Sequence, residues 1–337
     1  MATLGTSTVT MLDFKRRLDE NDKIAGLIEL LAESNEMIQD MVWLEGNLPT
    51  GHKTTIRTGL PTPTWRLLNY GVQPTKGTTA QVTDACGMLE AYAEVDKDLA
   101  DLNGNAPAWR LSEDAAHIEG MNQSFLDTLI YGDTTVNPER FVGLNPRFAT
   151  PSATTTNSGY NMITGAGSDS DNTSIWLVVW GPNTVHGIYP KGSQMGLKME
   201  DKGQVTLTDA AGGRYEGYRT HYQWKCGLCV RDWRYVVRMC NIDVSALVAE
   251  SSDADLVKGM VKMLERLPSE TVGTPAFYVN RTVQTMLRIQ ALQKSGYTTT
   301  FDDVAGKPVL RFQGIPVRRC DAIITAEATV AGTFGTP

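Results

Sequence analysis

From Asp13 to Glu45, Leu18, Ile24, Leu27, Ile28, Leu31, Ile38, Met41 and Val42 recur at three- and four-residue spacing on a charged background. This period predicts a long amphipathic helix, with Gly26 and Asn35 as its weak points. Leu30 and Met37 widen its apolar face. Such a helix is unstable alone in water, so it packs either on the main body or on a neighbouring chain. A second helical spacing, Leu89, Tyr92, Ala93, Val95, Leu99 and Leu102, closes at Asn103-Gly104. A third starts at Ser112, where Glu113 and Asp114 complement a helix N-terminus. It carries Ala115, Ile118, Met121, Phe125, Leu129 and Ile130, and stops at Gly132-Asp133.

Beyond the loop-like stretch Pro138 to Gly167 the pattern turns to strands. Ile175 to Trp180 is unbroken apolar sequence, which predicts a central strand buried on both faces. Val185 to Tyr189 and Gln204 to Leu207 read as short strands. Arg214 to Asp243, dense in aromatic and strand-forming residues, reads as a long bent strand or a hairpin. Leu247-Val248 and Leu256 to Leu267 are helical, ending at Pro268. Ala276 to Val279 is a strand and Arg281 to Lys294 a helix. Leu310 to Phe312, Ile315 to Val317 and Ala322 to Thr325 finish the sheet. The order is mixed α+β, without the βαβ repetition of a barrel or a doubly wound sheet.

The segment Gly46 to Ala85 differs in kind. It holds Gly46, Gly51, Gly59, Gly71, Gly77, Pro49, Pro61, Pro63 and Pro74, with threonines throughout. Thr54 to Thr58 and Ala80 to Thr83 alternate as a pair of strands. So few core-type side chains cannot make a domain, so the segment reads as a long protruding β-hairpin. Trp65, Leu67 and Leu68 have little local company. Their burial comes from another subunit, or from an irregular loop folded back on its own domain. Arg57 and Arg66 add forked donors to an arm that docks elsewhere.

Composition narrows the function classes. A chain of 337 residues buries enough surface to fold without metal or disulfide. Lys plus Arg is 31 against Asp plus Glu at 38, a net charge of −7, which argues against a dedicated duplex-binding protein. The longest plainly apolar run, near Trp176 to Trp180, is far short of a membrane span. The opening Met1 to Ser7 lacks the basic-then-apolar pattern of a secretory signal. Five cysteines, an odd number, do not read as a disulfide framework and fit a reducing compartment.

Chemistry-bearing motifs fail their context tests. His221, Cys226, Cys229 and Cys240 are the tempting cluster, and Cys226-Gly227-Leu228-Cys229 has the spacing of half a zinc knuckle. No second CxxC accompanies it, and its neighbours are strand-like, so packed thiols are the expectation, with no metal and no cofactor. His52, His117, His186 and His221 lie in no HxxxH or HExxH arrangement. Gly165 to Gly167 lacks the Gly-Lys-Ser/Thr ending of a phosphate loop, and Asp169-Ser170-Asp171 misses the EF-hand spacing. No serine sits in a nucleophile elbow. No catalytic residue is expected, and the basic residues Lys15 to Arg17 and Arg318-Arg319 read equally well as a solvated face, inter-subunit ion pairs or phosphate contacts.

Several ordered segments carry a resemblance. They are Arg57 to Pro61 with Trp65 to Val72, Tyr131 to Asp133 with Asn137 to Leu144, Trp176 to Gly181, His186 to Ser193, and Gly314 to Arg318. In this order the chain resembles the major capsid proteins of tailed bacteriophages, and more closely those of short-tailed phages. The resemblance implies the HK97-like major capsid protein fold, α+β, with an N-terminal helix, an extended β-hairpin loop, a long spine helix, and peripheral and axial domains. Its implied divisions are an N-terminal arm and helix at 1–45, the extended loop at 46–85, and the peripheral domain with its spine helix at 86–174. The axial domain with the remaining peripheral sheet follows at 175–326, and a C-terminal tail at 327–337.

The implied function is a non-enzymatic structural protein. It self-assembles as pentamers and hexamers into the icosahedral head shell around double-stranded DNA, which it contacts without reading sequence. Arg57, Trp65, Arg66, Leu67 and Leu68 are the expected intersubunit interface. The implied partners are the protein itself, a portal protein and a decoration or cement protein. A separate scaffolding protein is implied because the first helix begins close to Met1. The implied site is the virion, assembled in the bacterial cytoplasm, with no membrane. Two alternatives stay open: an encapsulin-like nanocompartment shell, and a soluble oligomeric metabolic enzyme with an interdomain cleft.

Overall fold

The computed structural model describes residues 36–102, 106–209, 211–249, 256–269, 271–293, 299–304 and 307–335. The expected helix Asp13 to Glu45 therefore lies outside the described residues as far as Asn35. Its last part departs from expectation. Met37–Asp40 is a single turn, α1, and Trp43–Glu45 is a strand, β1. β1 pairs in parallel with β7, Val185–Tyr189, setting Trp43 opposite Gly187. A Cβ at Gly187 would meet the Trp43 ring at 2.7 Å. Sheet pairing, a tertiary term, overrides the helical spacing there.

The described chain forms two compact units. The larger comprises Ser34–Gly87, Asp127–Ser193 and Cys226–Pro337. At its centre is β6, Asn172–Trp180, with all nine residues buried. It takes β10, Val236–Asp243, and β11, Thr274–Val279, as antiparallel neighbours. The sheet continues from β11 to β14, Ile315–Arg319, then β13, Lys307–Phe312, and β12, Thr299–Val304. Strand β5, Met162–Thr164, lies on β10. The β13–β14 turn is Gln313-Gly314, both at positive φ, the geometry that matches strand twist in a two-residue hairpin.

Side chains alternate across β6, and each face has its own cover. Ile175 and Leu177 meet Val237, Met239, Phe277 and Val279. Helix α5, Val244–Val248, adds Leu247; α6, Leu256–Glu265, adds Leu256, Met260, Met263 and Leu264; and α7, Arg281–Gln293, adds Val283 and Leu287. The spacing in α6 is i, i+4, i+7, i+8, one helical stripe. On the opposite face Trp176 packs edge-on to Phe148, and the Trp180 indole donates to Tyr278 Oη at 2.7 Å. Tyr278 in turn donates to Asp40 at 2.8 Å, tying α1 to the sheet.

A buried ionic network completes that face. Arg238 is 2% exposed and donates to Glu327 Oε2 (3.0 Å), Ser174 Oγ (3.1 Å) and the Phe148 carbonyl (2.9 Å). Ser174 also donates to Glu327, and Tyr131 Oη donates to its other carboxylate oxygen at 2.6 Å. The guanidinium lies over the Trp176 ring, 5.1 Å from its centroid. The C-terminal segment is thereby locked to the central strand.

Two further expectations need correction in this unit. Ala322 to Thr325 forms no strand. The Ile323 amide turns back to the Cys320 carbonyl and the Ile324 amide donates to Tyr131 Oη, so these donors are satisfied without a ladder. Arg214 to Asp243 is not a hairpin. It is β9, Arg214–Val230, followed by a 3-10 turn at Trp233–Tyr235 and then β10. The end of β9 pairs with β7, whereas β10 pairs with β6 and β5. Within the stretch read as loop, a short helix at Leu144–Arg147, α4, and a 3-10 turn at Ser158–Asn161 also form.

The described part of the smaller unit comprises Met88–Leu126 and Gln194–Lys225. Here the helix expected from Leu89 to Leu102 is instead a strand, β4, Gly87–Asp96, followed by a short helix, α2, Lys97–Asp101. Leu89, Ala91, Ala93 and Val95 alternate with Met88, Glu90, Tyr92 and Glu94. The period-2 pattern outcompetes the coincident three-and-four spacing. β8, Leu197–Thr208, pairs with β9, which also carries β4. The long helix α3, Ala106–Tyr131, starts six residues before Ser112. Pro107 in its first turn explains this, since the missing amide has no helical partner there. Met121, Ala93 and Tyr222 make the small core, and Phe125 stacks on Trp224 at 4.4 Å.

Candidate assembly interface

The Gly46 to Ala85 segment is two strands, β2, Gly51–Gly59, and β3, Thr78–Ala85, paired antiparallel from Gly51↔Ala85 to Gly59↔Thr78. Thr54, Thr55, Thr58, Thr78, Thr79 and Thr83 supply β-branched side chains that favour extended backbone. Thr58 Oγ1 donates across the ladder to Thr78 Oγ1 at 3.0 Å, next to a bulge between Arg57 and Gly59. Residues 60–77 connect the strands without regular structure. Thr75 Oγ1 bonds the Thr62 carbonyl, and Tyr70 donates to the Leu67 carbonyl in a turn with Asn69 at positive φ.

Every residue from 60 to 79 is exposed. Trp65 is 102% exposed and Leu68 85%; Leu60, Leu67, Tyr70 and Val72 join them on the same loop. This is a contiguous apolar group on one loop, unlike the singly scattered apolar residues of an ordinary surface. Of the sequence-predicted site residues, Trp65, Arg66, Leu67 and Leu68 sit together in the loop, and exposed Arg57 lies on β2 near its end. The arm is also one-signed. Lys53, Arg57, Arg66 and Lys76 lie between Gly46 and Thr83, and the first carboxylate is Asp84.

The foot of the hairpin is anchored. The Gly46 amide donates to the Tyr189 carbonyl (2.8 Å), Lys191 to Leu48 (3.2 Å) and Cys86 to Thr50 (2.9 Å). The Asn47 side chain bonds both backbone groups of Lys53 at 2.7 Å. Asp84 is buried and pairs with Arg147 at 2.7 Å; Arg147 also donates to the Leu228 carbonyl. A Cβ at Gly227 would stand 2.8 Å from the Ala85 carbonyl, so glycine there lets the foot lie against β9. A firmly held base with an unpartnered end is the geometry of an arm.

The foot also gathers residues that the sequence keeps apart. His52 lies opposite Asp84 across the hairpin, and His186 opposite Cys229 across β7 and β9. The His52 and His186 rings meet edge-on at 5.8 Å. Burial, with His52 beside it, pushes the His186 imidazole down to about 4, so the ring is neutral near pH 7. Burial and then the Asp84 carboxylate push the Cys229 thiol up. The tempting sequence cluster, by contrast, disperses. Cys226 and Cys229, three apart on a strand, point to opposite faces. Cys240 lies under the Ile163 carbonyl, and His221 belongs to the smaller unit, stacked on Tyr92 at 4.5 Å. Cys86, Cys226, Cys229 and Cys240 are free thiols.

The sequence matches the family model described as major capsid protein GP7 over residues 19–331. The chain belongs to this family. It is 35% identical to a chain in a cryo-EM structure of bacteriophage Epsilon15, covering 98% of this chain and 99% of that one, with a TM-score of 0.78. A bacteriophage JBD30 capsid chain matches at 9% identity over 87% of this chain and 93% of that one, TM-score 0.48. An encapsulin from Synechococcus elongatus matches at 10% identity over 69% and 96%, TM-score 0.40. No curated protein sequence matches the chain. The fold is HK97-like, and this major capsid protein is a non-enzymatic, self-associating structural component of the phage virion. The metabolic-enzyme and nanocompartment alternatives fall with the family match.

Proposed function

We propose that this capsid protein closes its shell through the hairpin arm, which lies over the neighbouring subunit of the same pentamer or hexamer. The single observation supporting this is the exposed group Leu60, Trp65, Leu67, Leu68, Tyr70 and Val72 on a loop whose foot is fixed. Trp65, Leu67 and Leu68 supply apolar burial, and Arg57 and Arg66 pair with carboxylates of the neighbour. A basic arm on a chain of net charge −7 finds complementary surface on its own copies. Heterologous contacts of this kind close into rings, and residues 60–77, rich in glycine and proline, absorb the difference between five- and six-fold rings.

In this reading the extended loop spans 46–85, the peripheral domain with its spine helix 86–174, and the axial domain with the remaining sheet 175–326. The 1–45 arm and the 327–337 tail flank them. The further partners are a scaffolding protein, a portal protein and a decoration protein, with double-stranded DNA inside, touched without sequence readout. The test is size-exclusion chromatography with negative-stain microscopy, on the protein alone and with its scaffolding partner. Closed shells, pentamers or hexamers in either sample support the proposal. A particle that stays a monomer, dimer or tetramer with the scaffold present overturns it.

A further inference from the structure

One ligating atom each from His52, His186 and Cys229 lies within 4.8 Å of the other two. These residues come from three strands that meet only in the fold: β2 of the arm, then β7 and β9 of the body. His186 is 1% exposed, yet neither ring nitrogen makes a hydrogen bond of normal geometry. Leaving two polar atoms of a buried ring unmatched is costly and asks for a missing partner. Asp84, the cross-strand neighbour of His52, has Oδ1 held by Arg147, while its buried Oδ2 makes no bond of normal geometry and the carboxylate takes only a weak contact from the Cys229 thiol. Buried polar atoms without a well-formed hydrogen bond therefore gather beside a thiol at one place.

We propose that the foot of the arm is a zinc site, with His52, His186 and Cys229 as its three protein ligands and a water in the fourth position; Asp84, hydrogen-bonded to the Cys229 side chain, lies next to this set. Two imidazoles and one thiolate are a zinc set, too soft for magnesium or calcium. Tetrahedral zinc spaces its ligand atoms about 3.3–3.8 Å apart, so the site closes by less than the width of one atom. His52 gives up one contact. Its Nδ1 accepts the Asn47 amide at 3.3 Å, and with zinc bound Nδ1 carries either the metal or the proton. That contact is long and weak. On binding, Cys229 loses its S–H proton to solvent as the Zn–S bond forms, and no redox change occurs. The thiolate leaves the site at +1, and the Asp84–Arg147 pair is neutral overall. Zinc here fastens the arm strand to β7 and β9, setting the angle at which the arm leaves the subunit. This assignment is independent of where the arm docks.

The test uses the full-length protein expressed in zinc-supplemented cells, stripped with chelator, then titrated with zinc and with cobalt as the spectroscopic probe. Expected are one zinc per chain, a melting temperature that rises with added zinc, and a cobalt spectrum with thiolate charge-transfer and four-coordinate visible bands. Cys229→Ser abolishes the charge-transfer band and His186→Asn the stoichiometric binding, whereas Cys226→Ser leaves both intact. Absence of the cobalt thiolate band in the wild-type protein overturns the proposal, whether or not the variants fold. Metal held equally by wild type and Cys229→Ser overturns it too, because that metal is adventitious.

Discussion

Replacing Trp65 by alanine separates assembly from folding. The side chain is 102% exposed in the subunit, so it contributes nothing to the subunit's own core, and its loss changes subunit stability by no more than about 0.5 kcal/mol. If the arm docks on a neighbour, a tryptophan buries 150–250 Å² of surface there, on the order of 4–6 kcal/mol at about 25 cal/mol per Å². Ordering the side chain and the loop subtracts from this, leaving about 2–4 kcal/mol per contact, the range of an interface anchor. Each subunit of a ring makes the contact once, so a hexamer loses it six times over. The assay is guanidinium titration with two readouts: light scattering for dissociation of shells, and far-ultraviolet circular dichroism for unfolding of dissociated subunits. The Trp65→Ala dissociation midpoint should fall while the unfolding midpoint stays put. Equal loss in both curves would mean that Trp65 packs within its own subunit, and an unchanged dissociation midpoint would mean that it packs nowhere.

Deleting Leu60 to Lys76 should give folded, soluble subunits that fail to form shells; normal shells by electron microscopy would refute the arm's role. Glu327→Ala should destabilise the subunit itself by about 3–5 kcal/mol, because it strands a guanidinium that is only 2% exposed. Chemical denaturation of dissociated subunits measures this, and a loss under about 1 kcal/mol would show that the Arg238 charge is satisfied without Glu327.

Much of the fold was legible because the burial it demands leaves a one-dimensional trace. The run Ile175 to Trp180 has no polar residue, and only a strand covered on both faces accommodates it. The apolar stripe of Leu256 to Leu264 before Pro268 likewise has one reading. The arm was legible by what it lacks, with long spacing between core-type residues, many glycines and prolines, and large side chains without local company. Leu89 to Val95 failed because its residues satisfy periods 2 and 3.6 together, and neighbouring strands β8 and β9 decided between them. The strand β1 was hidden for the same reason, since only pairing with Gly187 and its neighbours distinguishes it from the end of a helix.

The foot cluster was illegible for a different reason. His52, Asp84, His186 and Cys229 are scattered along the chain, and register alone brings them together. Cross-strand pairing is set by hydrogen-bond ladders that carry no spacing signal. The CxxC spacing pointed the wrong way, because two residues three apart on a strand face opposite sides. One clue was present: Asp84 is the first carboxylate in a long basic, threonine-rich stretch, and a lone acid at the end of such a strand has a specific partner to meet.

The most direct test of the proposed arm is a cryo-EM reconstruction of shells assembled from this protein. It should show residues 60–77 ordered across the adjacent subunit of the same capsomer, with Trp65 buried there and Arg57 and Arg66 against carboxylates. An arm folded back on its own subunit, or left in solvent in a closed shell, would contradict the account.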